Sequence, residues 1–173
     1  MSNSDKEELI SSLLDWDEKH TEYLKRIYSI HSGHPNFINL VIDLFLNHTG
    51  LDHSTSWLIK HHVDMQGNLN TQDITNVLSN LKNLSYWGST LHILQTIPKV
   101  ELKKDLAEKI EIEVFKKLKS DNTFVRASAY EAYFEIVKLI PELKNEFIAL
   151  CLDALEREKA SVKVKIKRSL KKL

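Results

Sequence analysis

Asp121-Asn122-Thr123-Phe124-Val125-Arg126-Ala127-Ser128-Ala129 is the stretch that decides the fold. Asp121 or Asn122 offers a side-chain oxygen to the unpaired N–H groups of a helix's first turn. Apolar residues follow at helical spacing, through Val125, Ala129, Tyr133, Phe134, Val137 and Ile140, up to Pro141. A proline does not fit a helix interior, so the pattern predicts a helix that opens at the polar pair and stops before Pro141.

The same grammar extends in both directions. Towards the N-terminus, Leu9, Leu13, Leu14 and Trp16 predict a first helix behind Ser4, an N-cap with Glu7 three residues on. Tyr23, Leu24, Ile27, Tyr28 and Ile30 predict a second, and Phe37, Leu40, Val41, Leu44 and Phe45 a third after Gly33-His34-Pro35. Trp57, Leu58, Ile59 and Val63 form a fourth, ended by Gly67-Asn68. The fifth is capped by Asn70 or Thr71, the sixth starts near Trp87 and stops at Pro98, and the seventh runs from about Glu101 to Leu118. The ninth carries Leu143, Phe147, Leu150, Cys151 and Leu155. The last segment alternates like a strand, Ser161-Val-Lys-Val-Lys-Ile-Lys, yet Val162, Ile166, Leu170 and Leu173 share one helical face. A lone strand has no pairing partner in a helical chain, so a tenth helix is expected.

Composition agrees. The 173 residues carry 24 Lys+Arg against 24 Asp+Glu, with 42% apolar and 28% charged residues, the profile of an ordinary globular chain. Four glycines and three prolines are too few for an all-β fold with its many turns. The single Cys151 excludes an intramolecular disulfide and a cysteine-based zinc site. The start is polar and acidic, unlike a signal peptide, and the densest apolar stretch, Phe37 to Leu46, is broken by Asn39 and Asp43. About twice that length is needed to span a bilayer. The expectation is one cytoplasmic domain over 1–173, with no membrane contact.

An internal period sharpens the fold. The second helix of each later pair aligns through His53, Trp87, Arg126 and Lys163, spaced 34, 39 and 37 residues apart. The next position is small in three units, Ser54, Gly88 and Ala127, and is Val164 in the last. Small residues there let neighbouring helices approach. The third unit, Asp121-x-x-x-Val125-Arg126-x-x-Ala129, resembles the HEAT-repeat family of α-solenoids. The last unit, Glu158-x-x-x-Val162-Lys163-x-x-Ile166, is a weaker version, and Lys82/Trp87 and His48/His53 depart from it. The resemblance implies an all-α right-handed superhelix of about five helical hairpins, with repeats over 34–173 and a capping or degenerate hairpin over 1–33. It implies that the acid sits in a turn, that the base opens the second helix, and that their side chains form a polar ladder along the stack. The layout is also similar to short bacterial HEAT-like proteins of unassigned activity.

No catalytic constellation emerges. Eight histidines include His61-His62, His48/His53 and His31/His34, but no His-x-x-x-His pair with an acid lies on one helix. Adjacent His61 and His62 point about 100° apart on a helix and do not chelate together. Asp15, Asp17, Glu18 and Glu22 read as a solvated helix face beside Lys19, Lys25 and Arg26. Cys151 reads as core, and there is neither a Gly-x-Ser-x-Gly elbow nor a phosphate-binding glycine loop. No metal and no cofactor are expected.

The readings that remain are binding readings. Trp57 belongs to packing. Trp87 stands where HEAT units place Arg or Lys, at the inner helix, and is either inter-repeat packing or an aromatic anchor for a protein. With Arg126, Lys163 and His53 it makes the expected partner-binding column of a non-enzymatic scaffold. An Arg126 bonded within the ladder is structural instead. Charge is uneven: 1–100 hold 7 Lys+Arg and 11 Asp+Glu, a net of −4, and 101–173 hold 17 and 13, a net of +4. Lys159, Lys163, Lys165, Lys167, Arg168, Lys171 and Lys172 crowd 159–173 with no acid. They complement a helix C-terminus, contact an acidic protein or the acidic half of the chain, or bind nucleic acid, as some HEAT-like DNA-repair proteins do.

Overall fold

The structure is a computed structural model that describes residues 3–173. Among them are ten α-helices and no strand. They are α1 (Asn3–Leu14), α2 (Thr21–His31), α3 (Phe37–Asn47), α4 (Asp52–Asp64), α5 (Thr71–Ser79), α6 (Trp87–Thr96), α7 (Lys104–Lys117), α8 (Thr123–Leu139), α9 (Lys144–Arg157) and α10 (Ala160–Leu170). Short 3-10 turns follow α5 and α6 and precede α9, the last two opening around Pro98 and Pro141.

Local chemistry explains the boundaries. Asn122, rather than Asp121, caps α8: its Oδ1 accepts from the Phe124 and Val125 N–H groups at 2.9 and 3.3 Å. Asn70, rather than Thr71, caps α5 through the Asp73 N–H at 2.9 Å. The ambiguous basic segment is helical, with Val162 and Ile166 fully buried. The side chain of Ser4, the expected first cap, lies outside the described residues.

Three expectations change. Trp16 lies beyond the end of α1, where its Nε1 donates to the His20 carbonyl at 3.1 Å and its ring plugs the core. The Asp15–Glu22 acids belong mainly to the α1–α2 turn instead of a helix face. Asp17 organises that turn, accepting from the Lys19 and His20 N–H groups at 3.0 and 2.9 Å. α4 ends at Asp64, ahead of the expected Gly67-Asn68 stop, and Gln66 takes the left-handed conformation (φ 62°). Gly67 instead makes room for His62, whose Nε2 would lie 2.3 Å from a Cβ placed there.

The helices pack in order. α2, α4, α6, α8 and α10 each touch the next in that series, and α3, α5 and α7 form a second row. The rows meet where α3 packs on α4, α7 on α8 and α9 on α10. Buried apolar residues join into one core running from Leu9 to Ile166. The small column does what its size requires: Ser54, Gly88 and Ala127 are buried at seams between helices, whereas Val164, in the last unit, is exposed. No helix among the described residues is long and apolar enough to cross a membrane.

Candidate functional site

Side-chain links between helices recur at near-constant sequence separation. Tyr28 Oη meets His62 Nδ1 at 2.9 Å, 34 residues on, and Ser56 Oγ meets His92 Nδ1 at 3.1 Å, 36 residues on. Ser89 Oγ donates to Asp52 Oδ2 at 2.6 Å across 37 residues, and Lys165 Nζ to Glu131 Oε2 at 2.7 Å across 34. Lys99 reaches Asp64 across 35.

Arg126 is part of this scaffolding. Its Nε and Nη2 donate to the two carboxylate oxygens of Glu158 at 2.7 and 3.0 Å. Its Nη1 donates to the Ser120 and Asp121 carbonyls at 2.7 and 3.1 Å. The acid it grips is therefore the turn acid of the following unit rather than its own Asp121. The hydrogen bonds from Arg126 outweigh burial and hold the Glu158 carboxyl below its ordinary value.

His53 is also enclosed. Its ring lies 4.6 Å from those of Trp16 and Tyr86 and nearly parallel to His92 at 5.4 Å. Its Nδ1 is 3.6 Å from Glu18 Oε2, beyond hydrogen-bond reach. Burial keeps the His53 imidazole below its ordinary pKa against the pull of Glu18 and Asp52, and takes His92 down to about 3. Gly88 makes this stack possible: a Cβ there would sit 2.7 Å from His53 Nε2 and from Tyr86 Cε1.

Trp87 is 45% exposed at the start of α6, with Tyr86 beside it. Lys163 is half-buried, its Nζ 3.4 Å from the Glu156 carbonyl. The column thus splits into two enclosed members, His53 and Arg126, and two accessible ones. The basic segment splits as well. Lys165 and Arg168 gather on Glu131, while Lys167, Lys171 and Lys172 are exposed.

A groove of about 460 Å3 opens across the even-numbered row. It runs over α4, α6, α8 and α10, with Gln95, Ala127 and Ser128 between its rims. Lys60 and Lys99 line one part and Lys165 and Arg168 another. Phe124 also lines it and is 63% exposed. Composition and motifs did not single out Phe124. The available signal was its register: it falls off the Val125–Ala129–Tyr133 stripe, so its ring is not used by the core.

Burial disfavours the ionised forms of Cys151 and Tyr130. Cys151 is fully buried, and burial pushes its thiol up to about 12. Burial likewise takes the Tyr130 hydroxyl to about 12. Among the described residues, no group of three or more His, Cys, Asp or Glu side chains is placed to hold a metal ion.

Comparison of the chain with protein-family models, with curated proteins and with solved structures found no match.

Proposed function

We propose that the chain is a HEAT-like right-handed α-solenoid acting in the cytoplasm as a non-enzymatic scaffold, and that a protein partner binds along α4, α6, α8 and α10. The observation that carries this reading is the groove over those four helices with the ring of Phe124 exposed in it. An aromatic side chain at the edge of an open groove is the usual anchor of a protein contact. The 34–37-residue spacing of the links between helices supports the repeat architecture, and the Arg126–Glu158 pair supports the polar ladder. Trp87 and Lys163 belong to the binding column in this reading, while Arg126 and His53 hold the column's shape.

A photo-crosslinking side chain placed at Phe124 tests the reading in the source cells. The control position is Ile112, which is 62% exposed on α7, in the other row. Protein adducts at 124 and not at 112 are expected. Adducts at 112 alone, or at neither position, defeat it.

Nucleic-acid binding is the second reading, because Lys167, Lys171 and Lys172 are exposed with no carboxylate upon them. Among the six basic residues Lys163, Lys165, Lys167, Arg168, Lys171 and Lys172, Lys165 and Arg168 share the Glu131 carboxylate and Lys163 reaches only the Glu156 carbonyl.

A further inference from the structure

Two clusters of like design present their cations to the groove, Lys60 and Lys99 in one and Lys165 and Arg168 in the other. Asp64 is gripped by Lys60 at 2.6 Å and by Lys99 from the turn after α6. Glu131 is gripped by Lys165 at 2.7 Å, with Arg168 Nη1 at 3.7 Å. Each cluster sets two cations about one carboxylate, so each carries a net charge of +1. Lys60 and Lys99 together outweigh burial and hold the Asp64 carboxyl below its ordinary value.

The cations keep donors to spare. A lysine ammonium has three N–H donors and an arginine five, of which the internal carboxylates use few. Arg168 is beyond hydrogen-bond distance of Glu131 and is 57% exposed, so its planar fork is open to a second carboxylate. Lys99 is 43% exposed. Phe124 lines the same groove, with most of its ring in water.

We infer that the occupant of this groove is an acidic protein segment bearing an apolar side chain, its carboxylates on the Lys60–Lys99 and Lys165–Arg168 clusters and its apolar side chain against Phe124. The inference rests on the scaffold reading and names the chemistry of its partner. A phosphate backbone fits less well. It lays a continuous run of negative charge over the Glu131 carboxylate. The exposed bases with no carboxylate upon them, Lys167, Lys171 and Lys172, do not line the groove.

The test is selection of a displayed library of random dodecapeptides against the full chain, with a Phe124→Ser/Arg168→Glu variant as counter-target. Both side chains are exposed, so the variant keeps the core; its circular dichroism and unfolding midpoint confirm that it folds. Enriched peptides rich in Asp and Glu around one or two apolar residues are expected. Their binding, read by fluorescence anisotropy, is expected to weaken about tenfold in the variant and when their acids become amides. It also weakens with added salt. Enrichment of neutral or basic peptides, equal binding to the variant, or no enrichment overturns the inference. A neutral or basic partner segment crosslinked at position 124 overturns it while leaving the scaffold reading intact. A single-stranded DNA oligonucleotide that alone binds, and is lost in Lys167→Glu/Lys171→Glu, overturns both.

Discussion

Arg126 and Glu158 meet through two parallel N–H···O bonds, at 2.7 and 3.0 Å, that tie the first turn of α8 to the turn between α9 and α10. Both side chains are mostly withdrawn from water, at 16% and 13% exposure. Removing Arg126 strands a carboxylate and two backbone carbonyls, so Arg126→Met is expected to cost about 1–3 kcal/mol. The charge swap Arg126→Glu/Glu158→Arg does not restore it, because a glutamate at 126 cannot donate to the Ser120 and Asp121 carbonyls. Urea unfolding of the three proteins measures this; a swap as stable as the parent refutes the account.

Gly88 sits where helix propensity and packing oppose each other. Alanine is favoured over glycine in a helix by about 1 kcal/mol. Its Cβ, however, would meet His53 at 2.7 Å, and His53 has no room to retreat between Trp16, Tyr86 and His92. Gly88→Ala is therefore expected to destabilise by about 1–3 kcal/mol. In a His53→Ala background only the Tyr86 ring, at 2.7 Å, remains in the way of that Cβ, so the cost is expected to shrink. A double-mutant cycle by denaturant titration reads the coupling directly.

Buried histidines set an acid limit. Burial lowers the folded-state pKa of His53, His61, His62 and His92, the last to about 3. Unfolded histidines take up protons near pH 6.5, so below that value the unfolded chain binds more protons than the native one. The stability these groups contribute is complete above pH 6.5 and falls as pH drops towards their folded values. For His92 alone the loss is about 2 kcal/mol between pH 7 and 5. Unfolding midpoints at pH 7, 6 and 5 measure it, and His92→Leu is expected to flatten the profile whatever it does to the stability at pH 7.

Cys151 is expected to resist a thiol reagent in the native state and to react once per chain in denaturant. Its side chain is fully buried on α9, and its thiolate is disfavoured by the apolar surroundings. Native-state labelling as fast as in urea contradicts the placement of Phe147, Cys151 and Ala154 in the core.

The helices were legible because a 3.6-residue apolar period is written locally. The α8 stripe from Val125 to Val137 needs nothing from the rest of the chain to be recognised, and the two prolines mark turns that open around them. Trp16 was misplaced because an aromatic at helical spacing after Leu13 fits a helix as well as a plug in a turn. Only the path of the chain through Asp17 and His20 separates the two. The choice between Asp121 and Asn122 as cap turned on which oxygen reaches the free N–H groups, a matter of one residue's torsion angles.

Sequence alone determined the all-helical class, the order of the ten helices, the small column at the seams and the inertness suggested for Cys151, because each follows from spacing, composition or volume along the chain. Tertiary structure alone decided that Arg126 grips the Glu158 carboxylate rather than that of Asp121, that His53 is enclosed while Trp87 is exposed, and that Phe124 lines a groove between two cation clusters. These are contacts between residues about 32 to 37 positions apart, or exposures left by how neighbouring helices dock. Energies of that kind depend on distance and burial, which a list of residues does not contain until the helices are packed.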